Sequence, residues 1–429
     1  MSGGTITVLL VLIFLALSIL GVPVPFAITA SALIGGLLVG VGLSTVISQL
    51  FDGVNVIALL AVPFFILAGE LASTSGVAER LVKFAQSLVG HIRGGLAQVV
   101  TVFSMFFAGI SGSSTADVAA IGRVMMPAMK TEGYDPANSA ALVAAASTIA
   151  NMIPPSIMAV VYGAIGGVSV PALFVGGIIP GVLIGLGLMV YSYFFGFPER
   201  QRQRASLDEV ARSAGASVLP LLVPLIILVG ILGGFFTPTE AGMVAVVYTI
   251  VVVIPLIERD HLPNLPEDFM HAAVLYSLPM MAVAGASALA WVISYLQAPQ
   301  AVSGLIQNVA GTNPILIMLS IVVVLIIAGQ FIDAIPAIVI LMPIIATLVD
   351  LGGIDPVQMG VVAIVTLAFG LITPPYGLSL LLATTLAEVP FSRGLAKALP
   401  IYSVFVVVIL LLVFIPNLVL WLPKLLGVY

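Results

Sequence analysis

The chain lacks cysteine altogether and carries little charge. With no cysteine among its 429 residues, it can form no disulfide and perform no thiolate chemistry. Only 7% of the residues are charged, against roughly 25% in soluble globular domains. The three histidines, His91, His261 and His271, lie near charged connecting segments without the spacing of a metal site. No basic cluster predicts nucleic-acid binding. The composition therefore excludes an ordinary soluble domain.

The chain has hydrophobic sequence instead, which makes up 61% of its residues and forms long runs. Apolar runs of about 18 or more residues are typical of membrane-spanning helices. Such runs occupy residues 5–20, 171–196, 216–236, 239–257 and 399–422. The first run lacks the basic start and the cleavage site of a signal peptide, so we expect a mature span there. The sequence predicts an all-α, polytopic membrane protein.

Prolines and aspartates recur with the same spacing in two parts of the chain, which indicates an internal repeat. The matching features are Asp117 and Asp333, Pro127 and Pro343, GYDP at 133–136 and GIDP at 353–356, and the double prolines Pro154-Pro155 and Pro374-Pro375. We predict repeat 1 at residues 55–196 and repeat 2 at residues 271–422.

The remaining segments are predicted to support the two repeats. Residues 1–54 would form N-terminal scaffold spans, residues 197–270 a cytoplasmic loop with linking scaffold spans, and residues 423–429 a C-terminal tail. The segments 78–94 and 298–311 precede corresponding parts of the two repeats. The first of them is amphipathic, and we expect such arms to lie along the membrane surface and brace a mobile domain.

The distribution of basic residues predicts that the repeats have opposite orientations. Lysine and arginine collect in cytoplasmic loops, and residues 198–212 contain four arginines. No lysine or arginine occurs between Arg259 and Arg393. Counting spans from this loop places both ends of segment 95–130 inside and both ends of segment 313–350 outside. Inverted repeats are a hallmark of secondary transporters.

Segments 95–130 and 313–350 are therefore predicted to be helical hairpins that turn back inside the membrane. The sequence GISGSSTAD at 109–117 supplies the glycines for the first turn, together with four hydroxyls. The double prolines interrupt two further helices, at about 136–166 and 356–388, because proline removes a backbone donor and clashes with the preceding turn. Backbone that leaves a helix at this depth must line a cavity or be buried in protein.

Each repeat thus offers one hairpin tip and one helix break, and together these predict an oxygen-rich site for a small hard cation such as Na⁺. The candidate Na⁺ ligands are Ser111, Gly112, Ser113, Ser114, Asp117, Asn151, Ile153, Ser156, Gly329, Gln330, Asp333, Thr373 and Gly377. Helix N-termini nearby favour an anionic substrate. The candidate substrate contacts are Ser113, Thr115, Pro155, Ser156, Thr373, Pro375 and Tyr376. No arginine lies in these motifs to pair with a carboxylate.

Carboxyl groups within the apolar segments leave two interpretations open. Asp117 and Asp333 could be functional, since a charge in the membrane is costly and usually marks a site. They could equally cap the second arm of each hairpin, because aspartate is a favoured N-cap. The small residues of the first tip could also serve helix packing alone, and the double prolines could be simple kinks. Glu70 and Glu240, near span ends, are expected to be solvated or interfacial.

The sequence resembles the large membrane subunit of the tripartite ATP-independent periplasmic (TRAP) transporters. The residues that carry the resemblance are GISGSSTAD at 109–117, GYDP at 133–136, NMIPPSIMAVVYG at 151–163, FFTPTEAG at 235–242, GQFIDAI at 329–335 and ITPPYGLSL at 372–380. They occur in family order over essentially the whole chain. The resemblance places Ser111, Ser113 and Asp117 at a first hairpin site and Asp333 at a second, with Ser156 and Thr373 at the helix breaks.

The resemblance also implies a function and partners. It implies a multi-pass protein of the bacterial inner membrane that imports organic acids with two or more Na⁺ by an elevator movement, with no organic cofactor and no enzymatic activity. A separate small four-helix membrane subunit and a periplasmic substrate-binding protein would be its partners, besides membrane lipid. The sequence looks most similar to sialic-acid members, with C4-dicarboxylate or another carboxylate as the alternative cargo.

Two alternatives to Na⁺-coupled import arise from the residues themselves. Asp117 and Asp333 could carry protons in an H⁺-coupled carboxylate exchanger. The sequence Gly109-Ile110-Ser111-Gly112 has the form found around the nucleophile of intramembrane serine proteases. That chemistry needs a histidine base within hydrogen-bond reach of the serine, and the histidines are far from the hairpin in sequence. The sequence therefore does not favour the protease.

Overall fold

The computed structural model describes residues 3–195, 197 and 203–429, so residues 198–202 of the arginine-rich segment lie outside the described part. The described residues form helices and connecting turns, with no β-strand among them. The helices before the first hairpin are α1 (Gly3–Ile19), α2 (Val24–Val39), α3 (Leu43–Val54), a 3₁₀ turn (Ile57–Leu60), α4 (Ala61–Thr74) and the amphipathic α5 (Val77–Val89).

Repeat 1 continues with a helical hairpin and an interrupted helix. Its elements are α6 (Leu96–Ser111), α7 (Ser114–Thr131), α8 (Pro136–Ser147) with a 3₁₀ turn (Thr148–Asn151), α9 (Ile157–Gly166) and α10 (Val170–Phe194). The linking helices are α11 (Leu207–Leu232), α12 (Pro238–Tyr248), a π-helical turn (Thr249–Val253), α13 (Ile254–Ile257), a 3₁₀ turn (Arg259–Asn264), α14 (Leu265–Tyr295) and α15 (Ala298–Ala310).

Repeat 2 has the same order of elements. Its hairpin is α16 (Pro314–Phe331) with α17 (Ala334–Gly352), and its interrupted helix is α18 (Pro356–Gly370) with α19 (Leu378–Leu386). The chain then continues through α20 (Phe391–Ala398), a 3₁₀ turn (Leu399–Ile401), α21 (Tyr402–Phe414) and α22 (Asn417–Leu425). The predicted all-α class with two hairpins and two interrupted helices is confirmed.

The aspartate-proline motifs that revealed the repeat start equivalent helices. Asp135 is the N-cap of α8, and its carboxylate accepts a hydrogen bond from the Ala137 amide at 3.1 Å. Asp355 is the N-cap of α18, and its carboxylate accepts from the Val357 amide at 2.9 Å. Proline follows in both motifs, at the first helical position, where its missing N–H costs nothing. Local capping chemistry therefore explains why this spacing recurs.

The structure is apolar on its outer surface as well as in its core. Within the described residues, eight helices are long and apolar enough to cross a membrane. Large hydrophobic side chains such as Leu12, Val229 and Val407 have more than half of their surface exposed. Water would oppose such exposure over so much of a surface, whereas lipid tails accept it. The predicted multi-pass membrane architecture follows from this surface.

The two repeats contact each other reciprocally. Helix α9 of repeat 1 packs on α17 of the second hairpin, and α19 of repeat 2 packs on α7 of the first hairpin. A glycine allows close approach in each case: Gly166 lies against Met342, and Gly122 lies against Leu386. Each interrupted helix is thereby attached to the hairpin of the other repeat, so the two hairpin tips are brought towards one another.

A second group of helices surrounds this arrangement. The long helix α14 packs on α2, α3 and α4, and also touches α17 of the second hairpin. At one end of the molecule, Asp135 of repeat 1 forms ion pairs with Arg393 at 3.2 Å and Lys397 at 3.6 Å. These ion pairs hold the start of α8 in repeat 1 against α20, which follows the break in repeat 2.

Candidate functional site

The first hairpin turns in two residues. Helix α6 ends at Ser111, Gly112 adopts a left-handed backbone with φ of 59°, Ser113 is extended, and α7 begins at Ser114. A residue other than glycine would be strained at this φ. A Cβ at position 112 would also lie 2.4 Å from the Pro155 carbonyl oxygen. The glycine in the motif is therefore required both by the turn and by a close backbone contact.

Asp117 lies one turn inside α7 and is fully buried. The Ser111 hydroxyl donates a hydrogen bond to its Oδ1 atom, while its Oδ2 atom has no hydrogen-bond partner among the described residues. Ser113, not Asp117, occupies the N-cap position of α7. The capping interpretation of Asp117 is therefore wrong, and one of its buried carboxylate oxygens has no hydrogen-bond partner among the described residues.

Asp333 has a different position at the second tip. Helix α16 ends at Phe331 and Asp333 is the N-cap of α17, with its carboxylate accepting from the Ala334 amide at 2.8 Å. The capping interpretation is confirmed for this aspartate. Gly329 lies within α16 rather than in the turn, where it allows close packing against Gly370.

The helix breaks are closed by local hydrogen bonds. Ser156 is the N-cap of α9: its hydroxyl accepts from the Ala159 amide at 3.1 Å and donates to the Asn151 carbonyl at 2.5 Å. In repeat 2, the Thr373 hydroxyl donates to the Gly370 carbonyl at 3.0 Å, and Gly377 has φ of 41° before α19. Both double prolines contain a cis peptide bond.

Each tip is joined to the break of its own repeat by a backbone hydrogen bond. The Ile157 amide donates to the Gly112 carbonyl at 3.3 Å, and the Tyr376 amide donates to the Gln330 carbonyl at 3.0 Å. The proline breaks free these amides from their own helices. Tip and break therefore form one connected unit in each repeat.

The two units meet at one small cavity of about 90 Å³. Predicted site residues that line it are Gly112, Ser113, Ser114, Thr115, Asn151 and Asp333. The Ser113 and Thr115 hydroxyls are hydrogen-bonded at 3.0 Å. Helices α4 and α14 complete the wall with Ile66, Leu275 and Pro279. Sites for organic ligands are typically about 300–1,000 Å³, so this cavity is smaller than those that hold an organic acid.

The other predicted residues lie outside the wall of this cavity. They are Ser111, Asp117, Ile153, Pro155, Ser156, Gly329, Gln330, Thr373, Pro375, Tyr376 and Gly377. Most of them form the tip and break contacts described above. Ile153 is placed differently, since its side chain packs against Gly181 and its amide donates to the Ile149 carbonyl at 3.0 Å.

The sequence analysis did not name Ser379 as a site residue. Ser379 is the second residue of α19, directly after the break in repeat 2. Its side chain is fully buried and its hydroxyl has no hydrogen-bond partner among the described residues. Its amide donates to the Leu371 carbonyl at 3.0 Å, so it packs against the break itself. An unpaired hydroxyl is costly in an apolar interior. Its position in ITPPYGLSL, just after the double proline, was the sequence feature that could have marked it as a site residue.

A larger polar cavity of about 610 Å³ corrects one expectation made from the sequence. Glu70 is buried, not interfacial, and is hydrogen-bonded to His271 at 2.7 Å. His261 is hydrogen-bonded to Asp268 at 2.7 Å, so two of the three histidines line this one cavity. Arg123 of the first hairpin lines it as well, and this arginine lies outside the sequence motifs of the predicted site.

The contacts in the structure also bear on Glu240 and on the serine protease alternative. Glu240 is exposed and completes a capping box at the start of α12, where its carboxylate accepts from the amide of the N-cap residue Thr237 at 2.8 Å. Ser111 donates to Asp117, whereas a serine protease would need a histidine beside this hydroxyl. Both histidines of the polar cavity are bonded to carboxylates instead.

The comparison with known proteins now decides the family. The family described as "Tripartite ATP-independent periplasmic transporter, DctM component" matches residues 11–418. The chain belongs to this family. It is therefore the large permease subunit of a TRAP transporter, and a multi-pass protein of the inner membrane.

Individual relatives agree with this assignment. The C4-dicarboxylate TRAP transporter large permease protein DctM of Pseudomonas aeruginosa is 39% identical over 88% of this chain and 89% of that protein. The sialic acid TRAP transporter large permease protein SiaM of Vibrio cholerae is 33% identical over 96% of this chain and 97% of that protein. These TRAP permeases are named for different substrates.

A solved structure supports the fold alone. The YdaH transporter of Alcanivorax borkumensis, described as having an unusual topology, aligns with a TM-score of 0.56 over 86% of each chain. The sequences are only 14% identical, so the likeness concerns architecture.

Proposed function

We propose that this permease imports a small organic acid together with Na⁺, receiving the acid from a periplasmic binding protein. Na⁺ is a co-transported substrate in this scheme, and two or more ions accompany each acid. The observation that carries the proposal is the unpartnered Oδ2 atom of buried Asp117 in the hairpin whose tip residues Ser113 and Thr115 line one small cavity together with Asp333. Carboxylate, carbonyl and hydroxyl oxygens are ligands that a hard cation prefers.

The energetics allow concentrative uptake. Each charge that enters through 100 mV gains about 2.3 kcal/mol, and a tenfold Na⁺ gradient adds about 1.4 kcal/mol per ion. Two Na⁺ would supply about 7 kcal/mol against about 2.3 kcal/mol for bringing in one negative charge. The surplus is enough to accumulate a monoanion.

Movement of the hairpins against the surrounding helices would complete the cycle. The 90 Å³ cavity is too small for an organic acid while Leu275 and Pro279 of α14 and Ile66 of α4 form its wall. Binding the acid therefore requires the tips to separate from these helices, and an elevator movement of the two repeats is the proposed form of that step. A small four-helix membrane subunit would hold the surrounding helices, whose apolar faces include Leu12 and Val11.

The cargo is proposed as a carboxylate, with two compounds to be tested first. Sialic acid is the expectation from the sequence, and a relative named for it covers nearly the whole chain. A C4-dicarboxylate is the alternative, and it is favoured by the higher identity of the relative named for it. The hydroxyls and backbone groups of the tips can contact either acid, while the binding protein would select between them.

Reconstituted transport tests the proposal. We expect purified permease in proteoliposomes, with its small subunit and a binding protein, to accumulate labelled succinate or N-acetylneuraminate only when an inward Na⁺ gradient is present. Replacing external Na⁺ by K⁺ at fixed pH should reduce initial uptake by at least about tenfold, because two cation sites would be empty.

The controls separate Na⁺ from proton coupling. Uptake in K⁺ that equals uptake in Na⁺ would defeat Na⁺ coupling, and stimulation by an inward proton gradient under the same conditions would favour an H⁺-coupled carboxylate exchanger. Liposomes that lack the binding protein provide the baseline. A panel of acids that all fail to accumulate in Na⁺ would reject the proposed cargo class.

A second prediction distinguishes capping from cation binding at Asp333. Asparagine caps helices as well as aspartate does, so Asp333→Asn should leave the start of α17 and the folded protein intact. Because the substitution removes a negative charge from the cavity wall, we expect the Na⁺ concentration for half-maximal uptake to rise by about tenfold. The measurement is the Na⁺ dependence of uptake, with thermal stability as the control. An unchanged Na⁺ dependence would limit Asp333 to its capping role.

A further inference from the structure

We infer that the 610 Å³ cavity is a second, weak binding station for the carboxylate of the solute, with Arg123 as its positive charge. This inference rests on the proposed function, because it concerns the route by which the acid leaves the hairpin site. None of the sequence motifs contains Arg123, and its position becomes meaningful only when the helices are packed.

The large cavity follows the small one along the same three helices. On α4 the small cavity is lined by Ile66 and the large one by Glu70 and Thr74. On α14 the corresponding positions run from Pro279 and Leu275 to His271 and Asp268. Each helix therefore carries the wall of both cavities on one face, as residues three or four positions apart do.

The first hairpin supplies the third side. Thr115 lines the small cavity near the start of α7, and Arg123 lines the large cavity further along the same helix. Eight residues of α-helix span about 12 Å. Lys130 near the end of α7 and Arg259 before α14 mark this end of the molecule as cytoplasmic by the distribution of basic residues. The large cavity therefore lies between the hairpin site and the cytoplasm.

Arg123 has no hydrogen bond or ion pair in the part of the chain that the structure describes. The two buried carboxylates across the cavity are already bonded, Glu70 to His271 and Asp268 to His261. A guanidinium presents a planar fork of donors that matches a carboxylate. A cavity of 610 Å³ is within the usual range for a small organic ligand, whereas 90 Å³ is not.

The charges around Arg123 make this station suited to release. Glu70, Asp268 and exposed Glu267 line the same cavity, and Glu70 and Asp268 are each hydrogen-bonded to a histidine. A carboxylate bound at Arg123 is therefore attracted by the guanidinium group and repelled by the carboxylates of the same cavity. Binding that is favourable enough to draw in a solute but weak enough to let it leave is what a transit site requires.

The test compares Arg123→Gln with Arg123→Lys in proteoliposomes that contain the complete transporter. The assay measures exchange of internal labelled succinate or N-acetylneuraminate, using whichever the wild-type protein accumulates, as a function of its concentration on the cytoplasmic side. We expect Arg123→Gln to raise the cytoplasmic KM by about tenfold. Arg123→Lys should raise it about threefold, because the charge remains but the planar fork is lost.

The dependence of uptake on external Na⁺ should be unchanged in both variants, because Arg123 lies outside the small cavity. Arg212→Gln, an equal loss of charge at an exposed position on α11, is the matched control and should behave as wild type. Raised ionic strength should increase the wild-type cytoplasmic KM and leave that of Arg123→Gln unaltered, since only the former depends on an exposed charge.

The outcomes distinguish this inference from the proposed function. A cytoplasmic KM of Arg123→Gln equal to that of wild type, in a transporter that accumulates the acid with Na⁺, overturns the station alone. A KM that rises equally in Arg212→Gln overturns it too, because a general surface field would then explain the effect. Failure of the wild-type protein to show Na⁺-dependent accumulation rejects the proposed function and the inference that rests on it.

Discussion

Asp117→Asn is expected to reduce Na⁺-dependent uptake severely while the protein still inserts and folds. The substitution keeps the size of the side chain and an oxygen that can accept from the Ser111 hydroxyl, so the packing of α6 against α7 is retained. It removes the charge on the Oδ2 atom, which has no partner among the described residues and is the proposed Na⁺ ligand. Asparagine and aspartate have nearly the same volume, so the substitution leaves no cavity and forces no repacking.

The expected magnitude follows from the loss of one charged ligand. Interactions with a charged group are worth about 1.5–3 kcal/mol, which corresponds to a loss of about 10- to 150-fold in Na⁺ affinity. The measurement is the Na⁺ dependence of initial uptake in proteoliposomes, together with direct Na⁺-dependent thermal stabilisation of the purified protein. Stabilisation of the variant should require a correspondingly higher Na⁺ concentration.

Asp52→Asn is the matched control. Asp52 is exposed on α3, so the same chemical change there leaves the proposed site untouched and should leave Na⁺ dependence as in wild type. Normal Na⁺ affinity in Asp117→Asn would remove this carboxylate from the ion site and leave its burial without a functional explanation.

Gly112→Ala is expected to reduce uptake by more than about tenfold and to lower stability. Any L side chain at this left-handed position costs about 1–2 kcal/mol. The added Cβ would also lie 2.4 Å from the Pro155 carbonyl oxygen, so the tip and the helix break must move apart. That movement weakens the hydrogen bond from the Ile157 amide to the Gly112 carbonyl. Uptake and the thermal midpoint are measured side by side.

Gly133→Ala is the control that separates the effect of the contact from the cost of backbone strain. Gly133 also has a positive φ, 79°, but a Cβ there would meet nothing within 4 Å. It should therefore show the backbone cost alone, with uptake per folded molecule near wild type. Equal losses of uptake in the two variants would mean that general backbone strain, and not the contact between tip and break, limits transport.

Local features of the sequence predicted the elements of the site but not their arrangement. The prolines and glycines of the repeat indicate where helices break and turn, because they act on the backbone of their own residues. The same reasoning treated Asp117 and Asp333 alike from their shared spacing. In the structure Asp333 caps a helix, whereas Asp117 lies one turn inside one, since the first hairpin turns at Gly112 and already has Ser113 at its N-cap.

The 610 Å³ cavity shows why contacts between distant helices could not be predicted from the sequence. Glu70, Arg123 and His271 are separated by dozens of residues, and none has an unusual neighbour in sequence. Their meeting depends on how α4, α7 and α14 pack, which apolar sequence does not specify, because many pairs of apolar helix faces are equally hydrophobic.

The sequence alone determined that this chain is a helical membrane protein built from two repeats, each with a hairpin and an interrupted helix. Composition forces the helices into lipid, and proline, glycine and N-cap aspartate fix their ends through local backbone chemistry. Only the tertiary structure decided that the two tips line one small cavity and that Arg123 lines a second, larger one. Those relations depend on contacts between helices distant in the chain, which are set by packing rather than by local preference.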